Sequence, residues 1–240
     1  MTYCVAMSLE KGLVFAADSR TNAGVDQIAT FRKLHKFMVD GERAIVMLSA
    51  GNLATTQSVI SLLNMRLNSD QPNLFGARSL YEVASIIGST SREVIRRDSG
   101  QSQGNVDFGC SFIVGGQIHG EKPRLFQIYP EGNFIESTVD TPYFQIGEVK
   151  YGKPILDRVV DYQLSLKDAA KCALISLDST IRSNLSVGLP LDVLIYDCDS
   201  FSLANHHDVT EHDVHFRALG EAWSHGLRDA FAQIPDVEWE

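Results

Sequence analysis

Two apolar, β-rich segments at the start of the chain constrain its fold more than any other feature. They are YCVAMS and LVFAAD, and the Glu-Lys-Gly sequence between them is typical of a hairpin turn. Pairing the segments about that turn places Tyr3 opposite Asp18 and Thr2 opposite Ser19. The pattern therefore predicts an antiparallel hairpin that brings a carboxylate beside the first residues of the chain.

Thr2 directly follows Met1, and this order suggests an N-terminal nucleophile. Methionine is generally removable before a residue as small as threonine, and its removal would leave a hydroxyl and a free α-amine on one residue. An α-amine has a pKa of about 7.7 to 8.0, so it can act as a base near neutral pH. Any protein can begin Met-Thr, however, so this interpretation depends on the remaining sequence.

Composition restricts the class of protein. The 240 residues, of which 44% are hydrophobic and 21% charged, fit one domain over 1–240 with a sizeable core. A net charge of −9 without an extended Lys/Arg cluster argues against binding of nucleic acid. Neither a signal sequence nor a membrane-length apolar run is evident, so we expect a cytoplasmic protein. The 4 cysteines are scattered in apolar segments, which favours buried thiols over disulfides or zinc.

The order of segments predicts an α+β protein. After the hairpin, periodicity predicts strands over 28–39, 43–49, 106–115, 124–129, 133–138 and 193–196, and helices over 52–68, 79–97, 152–162, 166–182 and about 209–233. Strands, two helices, strands and two further helices follow one another. This order suits a four-layer αββα sandwich, in which each sheet is covered by the other sheet on one face and by helices on the other.

Two positions could complete a site around Thr2. A buried Lys33 would need a carboxylate partner, and Asp18 is the nearest candidate, whereas Lys36 should point to the opposite sheet face. Gly51 lies at a predicted strand–helix junction, where its backbone N–H could stabilise an oxyanion. The alternative is a glycine that only turns the chain, with Asn52 as the helix N-cap.

These residues together resemble the proteasome-type peptidases among the N-terminal nucleophile hydrolases, most closely the bacterial Anbu branch. The resemblance rests on Thr2, the segment VFAADSRTNAG at 14–24, the Arg-Lys-Leu sequence at 32–34 and the Leu-Ser-Ala-Gly-Asn sequence at 48–52. It extends to about Asp197, roughly four fifths of the chain. Residues 200–240 lie outside it as a C-terminal extension.

The resemblance implies a role for each matching residue. It makes Thr2 the nucleophile, Asp18 and Lys33 its supporting ion pair, and Gly51 the oxyanion donor. Ser186 retains the serine of an Asp-x-x-Ser element and completes the implied catalytic set. The implied binding set consists of Ser49, Leu53, Thr21, Glu148 and Ser183.

Two positions depart from the proteasome pattern. Glu148 and Ser183 replace the serine and the aspartate that help to orient the N-terminal amine. The substrate pocket implied by Ser49 and Leu53 is small and carries no charge to select acidic or basic side chains.

The last fifty residues contain two further patterns. Histidines and acids crowd 206–215, but a solvated acidic helix start explains them better than a metal site does. A helical stripe of apolar residues follows, and it suits either core packing or a subunit interface. The stripe consists of Phe216, Leu219, Trp223, Leu227 and Phe231.

The predicted function is that of a threonine peptidase or amidohydrolase that needs no metal or organic cofactor. Its expected partners are a peptide or protein substrate, identical subunits in a large ring or helical particle, and an ATP-dependent unfoldase, without nucleic acid or membrane. Two alternatives stay open: a non-hydrolytic assembly subunit with the same fold, and an amidase that acts on a small molecule.

Overall fold

The structure is a computed structural model that describes residues 2–22, 28–100 and 106–239. Its strands are β1 (Tyr3–Leu9), β2 (Gly12–Asp18), β3 (Arg20–Asn22), β4 (Ile28–Thr30), β5 (Leu34–Val39), β6 (Arg43–Gly51), β7 (Cys110–Ile118), β8 (Arg124–Ile128), β9 (Phe134–Glu136), β10 (Tyr143–Gly147), β11 (Leu191–Asp197) and β12 (His206–Val209). Its helices are α1 (Leu53–Arg66), α2 (Leu80–Ser99), α3 (Lys153–Val159), α4 (Leu166–Ser183) and α5 (Val214–Ala232).

Most strands belong to two antiparallel sheets. The first has the order β10-β1-β2-β11-β12 and the second the order β5-β6-β7-β8-β9, while β3 and β4 form a separate two-stranded ribbon. In the first sheet, Cys4 pairs with Ala17 across the hairpin. The same register sets Tyr3 beside Asp18, as the turn at residues 10–12 predicts.

The sheets stack face to face, and helices cover their outer faces. Alternate residues of β1 point to different cores: Cys4 and Ala6 pack between the sheets, whereas Val5 and Met7 pack against α3 and α4. The second sheet packs its outer face against α1 and α2 in a third core. This is the predicted four-layer αββα sandwich, and the burial of β1 on both faces explains why its sequence is apolar throughout.

Side-chain caps define where the helices begin. Asn52 is the N-cap of α1, because its Oδ1 accepts a hydrogen bond from Thr55 N–H at 3.1 Å. Ser79, Ser165 and Asp213 cap α2, α4 and α5 in the same way. The Asn52 cap starts α1 at Leu53, so a single residue separates the helix from the end of β6.

The prediction of one continuous strand over 28–39 is wrong. Residues 28–30 pair with β3, and only from Leu34 onward does the chain pair with β6. The break at 31–33 is held by hydrogen bonds from Phe31 N–H to Ser19 O at 2.9 Å and from Ser49 N–H to Lys33 O at 3.0 Å. Lys33 therefore lies just before a strand and not within one.

Three short strands and one helix start also differ from prediction. The sequence pattern did not predict β3, which pairs with β4, or β10, which pairs with β1. It also did not predict the edge strand β12, whose consecutive polar residues resemble a solvated helix start. The last helix begins at Val214 and not near 209 because the chain first completes that edge strand. Of the apolar stripe, Phe216 is buried, whereas Leu227 and Phe231 are exposed.

Among the helices that the structure describes, none is long and apolar enough to cross a membrane.

Candidate active site

A cleft of about 760 Å³ opens beside the junction of β6 and α1. Thr2, Lys33 and Gly51 all line it, so residues far apart in the sequence converge on one space. Thr2 reaches the cleft because it precedes β1, and Gly51 reaches it because it ends β6. The cleft therefore contains the predicted nucleophile, the predicted lysine and the predicted oxyanion donor.

A buried ion pair contacts the residue that follows Thr2. Lys33 Nζ is 2.5 Å from Asp18 Oδ1 and also donates to Arg20 O at 2.8 Å. Asp18 accepts two further hydrogen bonds, from Tyr3 N–H at 3.0 Å and from Gly188 N–H at 3.3 Å. Burial raises the pKa of the Asp18 carboxyl, and the Lys33 ammonium opposes that shift most strongly. The pair is thus fixed by its geometry next to the first residue of β1.

The end of β10 holds Thr2 in place. Glu148 N–H donates to Thr2 O at 2.6 Å, and Gly147 lines the cleft beside it. A Cβ on Gly147 would lie 2.0 Å from Thr2 O, and the backbone φ of 86° also favours glycine there. Glycine at this position therefore lets the end of β10 approach the backbone of Thr2 closely enough for the hydrogen bond from Glu148 N–H to Thr2 O.

Gly51 is supported in a comparable way. Its φ is 110°, and a Cβ there would lie 2.5 Å from Gly109 O. The next residue anchors the junction, because Asn52 N–H donates to Gly109 O at 2.9 Å and Asn52 Nδ2 donates to Asp107 O at 2.9 Å. Asn52 thus both caps α1 and fixes the backbone next to Gly51. A capping role for Asn52 is therefore compatible with a role for Gly51 N–H as oxyanion donor.

The predicted binding residues fall into two groups. Thr21, Ser49 and Leu53 line the cleft. Glu148 is buried, and its carboxylate accepts a hydrogen bond from Asn184 Nδ2 at 3.1 Å. Ser183 is exposed at the end of α4 and is not part of the cleft wall.

Ser186 lies in the loop between α4 and β11, outside the cleft wall. Its backbone N–H donates to Asn184 Oδ1 at 2.9 Å, so Asn184 links the Ser186 loop to Glu148. Sequence reasoning missed Asn184, although it stands directly beside Ser183 at the end of a predicted helix. The local sequence gives no signal for this link, because Glu148 lies 36 residues from Asn184.

The cleft wall also contains Arg32 and His35, which sequence reasoning did not place there. The wall of the whole cleft thus includes cationic residues, and the uncharged pocket implied at Ser49 and Leu53 stays a prediction. Burial lowers the pKa of His35, with the Asp192 carboxylate opposing the shift, so the imidazole is neutral near pH 7. Arg32 lies in the 31–33 break, and its guanidinium bonds to Asp192 and Asp208.

Carboxylates and a histidine also meet at the edge of the first sheet. Asp192, His206 and Asp208 have ligand atoms within 4.8 Å of one another. Arg32 Nη1 bonds to both carboxylates, so the protein supplies its own cation to this cluster. By contrast, His212 is 87% exposed and lies 3.5 Å from the carboxylate of its neighbour Glu211, in keeping with a solvated segment before α5.

Comparison with known proteins agrees with this geometry. The family model "Proteasome subunit" matches residues 2–195. Proteasome subunit beta 2 of Pyrobaculum calidifontis is 25% identical over 194 residues, which cover 80% of this chain and 87% of that protein.

Two solved structures are far more similar. Anbu (ancestral beta-subunit) from Yersinia bercovieri is 59% identical with a TM-score of 0.94, over 99% of this chain and 100% of that one. The helical assembly of the Anbu complex from Pseudomonas aeruginosa gives 55% identity and a TM-score of 0.95, over 99% and 98% of the two chains. The chain therefore belongs to the proteasome subunit family, within its Anbu branch.

Proposed function

We propose that this protein is a threonine-type peptidase or amidohydrolase with Thr2 as its nucleophile. The observation that carries the proposal is that Thr2, Lys33 and Gly51 line one cleft, with Asp18 bonded to Lys33 beneath it. A hydroxyl, a positive charge beside it and a backbone donor at a strand end are the groups that acyl transfer requires.

The proposed reaction begins after removal of Met1. Thr2 Oγ attacks the substrate carbonyl carbon while its proton passes to the free α-amine of the same residue. The tetrahedral oxyanion accepts a hydrogen bond from Gly51 N–H, and Lys33 stabilises the developing negative charge. The C–N bond then breaks, and the leaving amine takes the proton from the α-ammonium. Water attacks the resulting ester by the same proton path, releasing the acid and restoring Thr2.

Each supporting residue acts through position or charge. Asp18 accepts a hydrogen bond from Lys33 and orients its ammonium, and Glu148 N–H and Gly147 hold the main chain of Thr2. Ser49 and Leu53 form part of the wall that faces the substrate. The proposed steps need no metal ion or organic cofactor, because the nucleophile, base and oxyanion donor are all protein groups.

We propose further that the chain assembles with itself. The solved relative from Pseudomonas aeruginosa is described as a helical assembly, and this chain matches it over 99% of its length. A particle of this kind would enclose the cleft, work in the cytoplasm and receive unfolded chains from an ATP-dependent unfoldase. Light scattering is expected to give a mass many times 26.5 kDa.

Glu148 favours a second candidate function, that of a non-hydrolytic assembly subunit. Its buried carboxylate, bonded to Asn184 and 3.7 Å from Lys150, follows directly after the glycine that holds Thr2. A carboxylate there would stabilise the protonated α-amine and so reduce the fraction available as base. The retained Thr2, Lys33 and Gly51 argue for the hydrolase, and a small-molecule amide as substrate fits the same chemistry.

Hydrolysis of a panel of short fluorogenic peptides tests the proposal. We expect activity in the wild type, part of it in Thr2→Ser and none in Thr2→Ala. Lys33→Ala is expected to lower kcat/KM by at least about tenfold, whereas Lys36→Ala, which removes an exposed lysine outside the cleft, leaves it unchanged. Equal rates in the wild type and Thr2→Ala would reject the enzyme.

A further inference from the structure

A second buried carboxylate lies close in the fold to the ion pair of the candidate active site. The Asp192 side chain is 2% exposed, and the residue before it in β11, Leu191, pairs with Asp18 of β2. Asp192 does not line the cleft, and the proposed reaction gives it no direct part. A carboxylate is stable in the interior only with hydrogen bonds and opposite charge around it, so the partners of Asp192 indicate its role.

The partners of Asp192 include the direct neighbours of both members of the ion pair. Ser19 Oγ, from the residue that follows Asp18, donates to Asp192 Oδ2 at 3.3 Å. Arg32 Nη1, from the residue that precedes Lys33, donates to Asp192 Oδ1 at 2.5 Å. One carboxylate therefore connects the end of β2 to the break in the chain that carries the lysine.

Backbone hydrogen bonds connect the same segments. Phe31 N–H donates to Ser19 O at 2.9 Å, and Ser19 N–H donates to Pro190 O at 3.0 Å. Ser19 is thus held by the residues that lead into β11, and it holds the start of the break in turn. The position of Lys33 consequently depends on a small set of contacts that converge on Ser19 and Asp192.

Further side chains complete the network around Asp192. His206 Nε2 donates to Asp192 Oδ1 at 2.9 Å, and His206 Nδ1 lies 3.2 Å from Lys36 Nζ. An ammonium group can only donate, so Nδ1 is the acceptor and the imidazole proton is on Nε2. Arg32 also bonds to Asp208, whose side chain is 54% exposed. Two carboxylates and two cations balance one another, so the network is a link between β5, β11 and β12 rather than a site that attracts an ion.

We propose that Asp192 is a positioning residue for the ion pair of Asp18 and Lys33. By holding Ser19 and Arg32, it sets the separation of the two segments that carry the charged groups. Its effect on catalysis rests on the proposed function, whereas the contacts themselves involve no substrate. A misplacement of about 1 Å can lower a reaction rate about a hundredfold, so loss of such support is sufficient to affect turnover.

Melting temperatures test this role without a substrate. Lys33→Met is made alone and together with Asp192→Asn, and all proteins are compared at pH 7 and at one concentration. If Asp192 positions the ion pair, its loss loosens the pair, and the pair then contributes less stability. The decrease in melting temperature caused by Lys33→Met should therefore be at least about twofold smaller in the Asp192→Asn background than in the wild type. Two independent contributions would give equal decreases in both backgrounds.

Asp178→Asn is the matched control. Asp178 is also a buried carboxylate bonded to an arginine, Arg182, at 2.8 Å, but it lies in α4 and outside the cleft wall. Lys33→Met should cause the same decrease in melting temperature in the Asp178→Asn background as in the wild type. Arg32→Gln provides a second cycle if Asp192→Asn does not fold, and it should also reduce the effect of Lys33→Met at least about twofold. Arg32→Lys keeps a cation near Asp192 and should give an intermediate value.

Turnover provides the second readout. On a peptide that the wild type hydrolyses, Asp192→Asn should lower kcat at least about tenfold, because the ion pair is misplaced. KM should stay within about twofold, since Asp192 does not line the cleft. Asp178→Asn should leave both constants unchanged.

Two outcomes would overturn the inference: equal effects of Lys33→Met in the wild-type, Asp192→Asn and Arg32→Gln backgrounds, or an unchanged kcat in folded Asp192→Asn protein. A wild type that hydrolyses no peptide, but in which the Asp192→Asn background reduces the effect of Lys33→Met, would reject the hydrolase and keep the positioning role. An active wild type with equal effects in all backgrounds would do the reverse.

Discussion

Removal of the Lys33 charge should destabilise the protein by an amount that depends on pH. The Asp18 side chain is completely buried and that of Lys33 is 7% exposed, so Lys33→Met leaves a buried carboxylate without its cation. Breaking a buried ion pair by removing one partner typically costs about 3–5 kcal/mol. The backbone donors at Tyr3 and Gly188 remain, so we expect the lower end, about 3 kcal/mol at pH 7. For a chain of this size that corresponds to a melting temperature lower by about 6–12 °C.

The sign of the pH dependence follows from the pKa of Asp18. Burial already raises this pKa in the wild type, and loss of Lys33 removes the strongest opposing influence, so the pKa rises further in the variant. A carboxyl with a raised pKa in the folded state contributes stability that is fully present below its unfolded pKa, about 3.9, and is lost as the pH rises through the folded value. The loss in free energy of unfolding caused by Lys33→Met should therefore become smaller as the pH is lowered from 7 to 5.

Thermal unfolding followed by circular dichroism at pH 5, 6 and 7 measures this deficit. All samples need one protein concentration, because assembly would couple stability to concentration. Lys36→Met removes an exposed lysine from the same region and should change stability by less than about 0.5 kcal/mol. A deficit for Lys33→Met below about 1 kcal/mol at pH 7, or one that is equal at pH 5 and pH 7, would refute the reasoning.

Three further predictions concern the region around Thr2 and the surface thiol. Gly147→Ala should abolish peptide hydrolysis because its Cβ would lie 2.0 Å from Thr2 O, whereas Gly41→Ala, which also has positive φ but open space around it, should retain activity. Peptidase activity should increase towards alkaline pH, and Glu148→Ser should move the kcat/KM profile towards neutrality; identical profiles would show that the carboxylate does not act on the α-amine. Cys198 is the only exposed thiol in the described chain, so native protein should react with one equivalent of a disulfide reagent and denatured protein with four; a second fast thiol would contradict the packing.

The sequence alone was sufficient to predict the four layers of the fold. Apolar residues on both faces of β1 and β2 predict a strand covered on two sides, and the turn at residues 10–12 sets the register that brings Asp18 to Tyr3. Asn52 indicated the start of α1 because N-capping is a local interaction. Such features depend on neighbours in sequence, so a single chain reveals them.

Long-range pairing limited the rest of the prediction. The segment 28–39 has a strand-like sequence throughout, and only its pairing with β3 on one side and β6 on the other breaks it at 31–33. Arg32 lies in that break, so its pairing with Asp192, 160 residues away, could not be foreseen from local pattern. Similarly, β12 is a polar edge strand in which only the last of four residues is apolar, so its sequence gives no strand pattern.

The central claim is that a free Thr2, placed beside Lys33, is the nucleophile. The most direct measurement is the intact mass of native protein before and after treatment with a peptide epoxyketone, which needs both the hydroxyl and the free α-amine of an N-terminal threonine. We predict an initial mass that lacks Met1 and a single adduct per chain, which is absent in Thr2→Ala and slower to form in Lys33→Ala. A protein that lacks Met1 yet forms no adduct, or one whose adduct persists in Thr2→Ala, would contradict the claim.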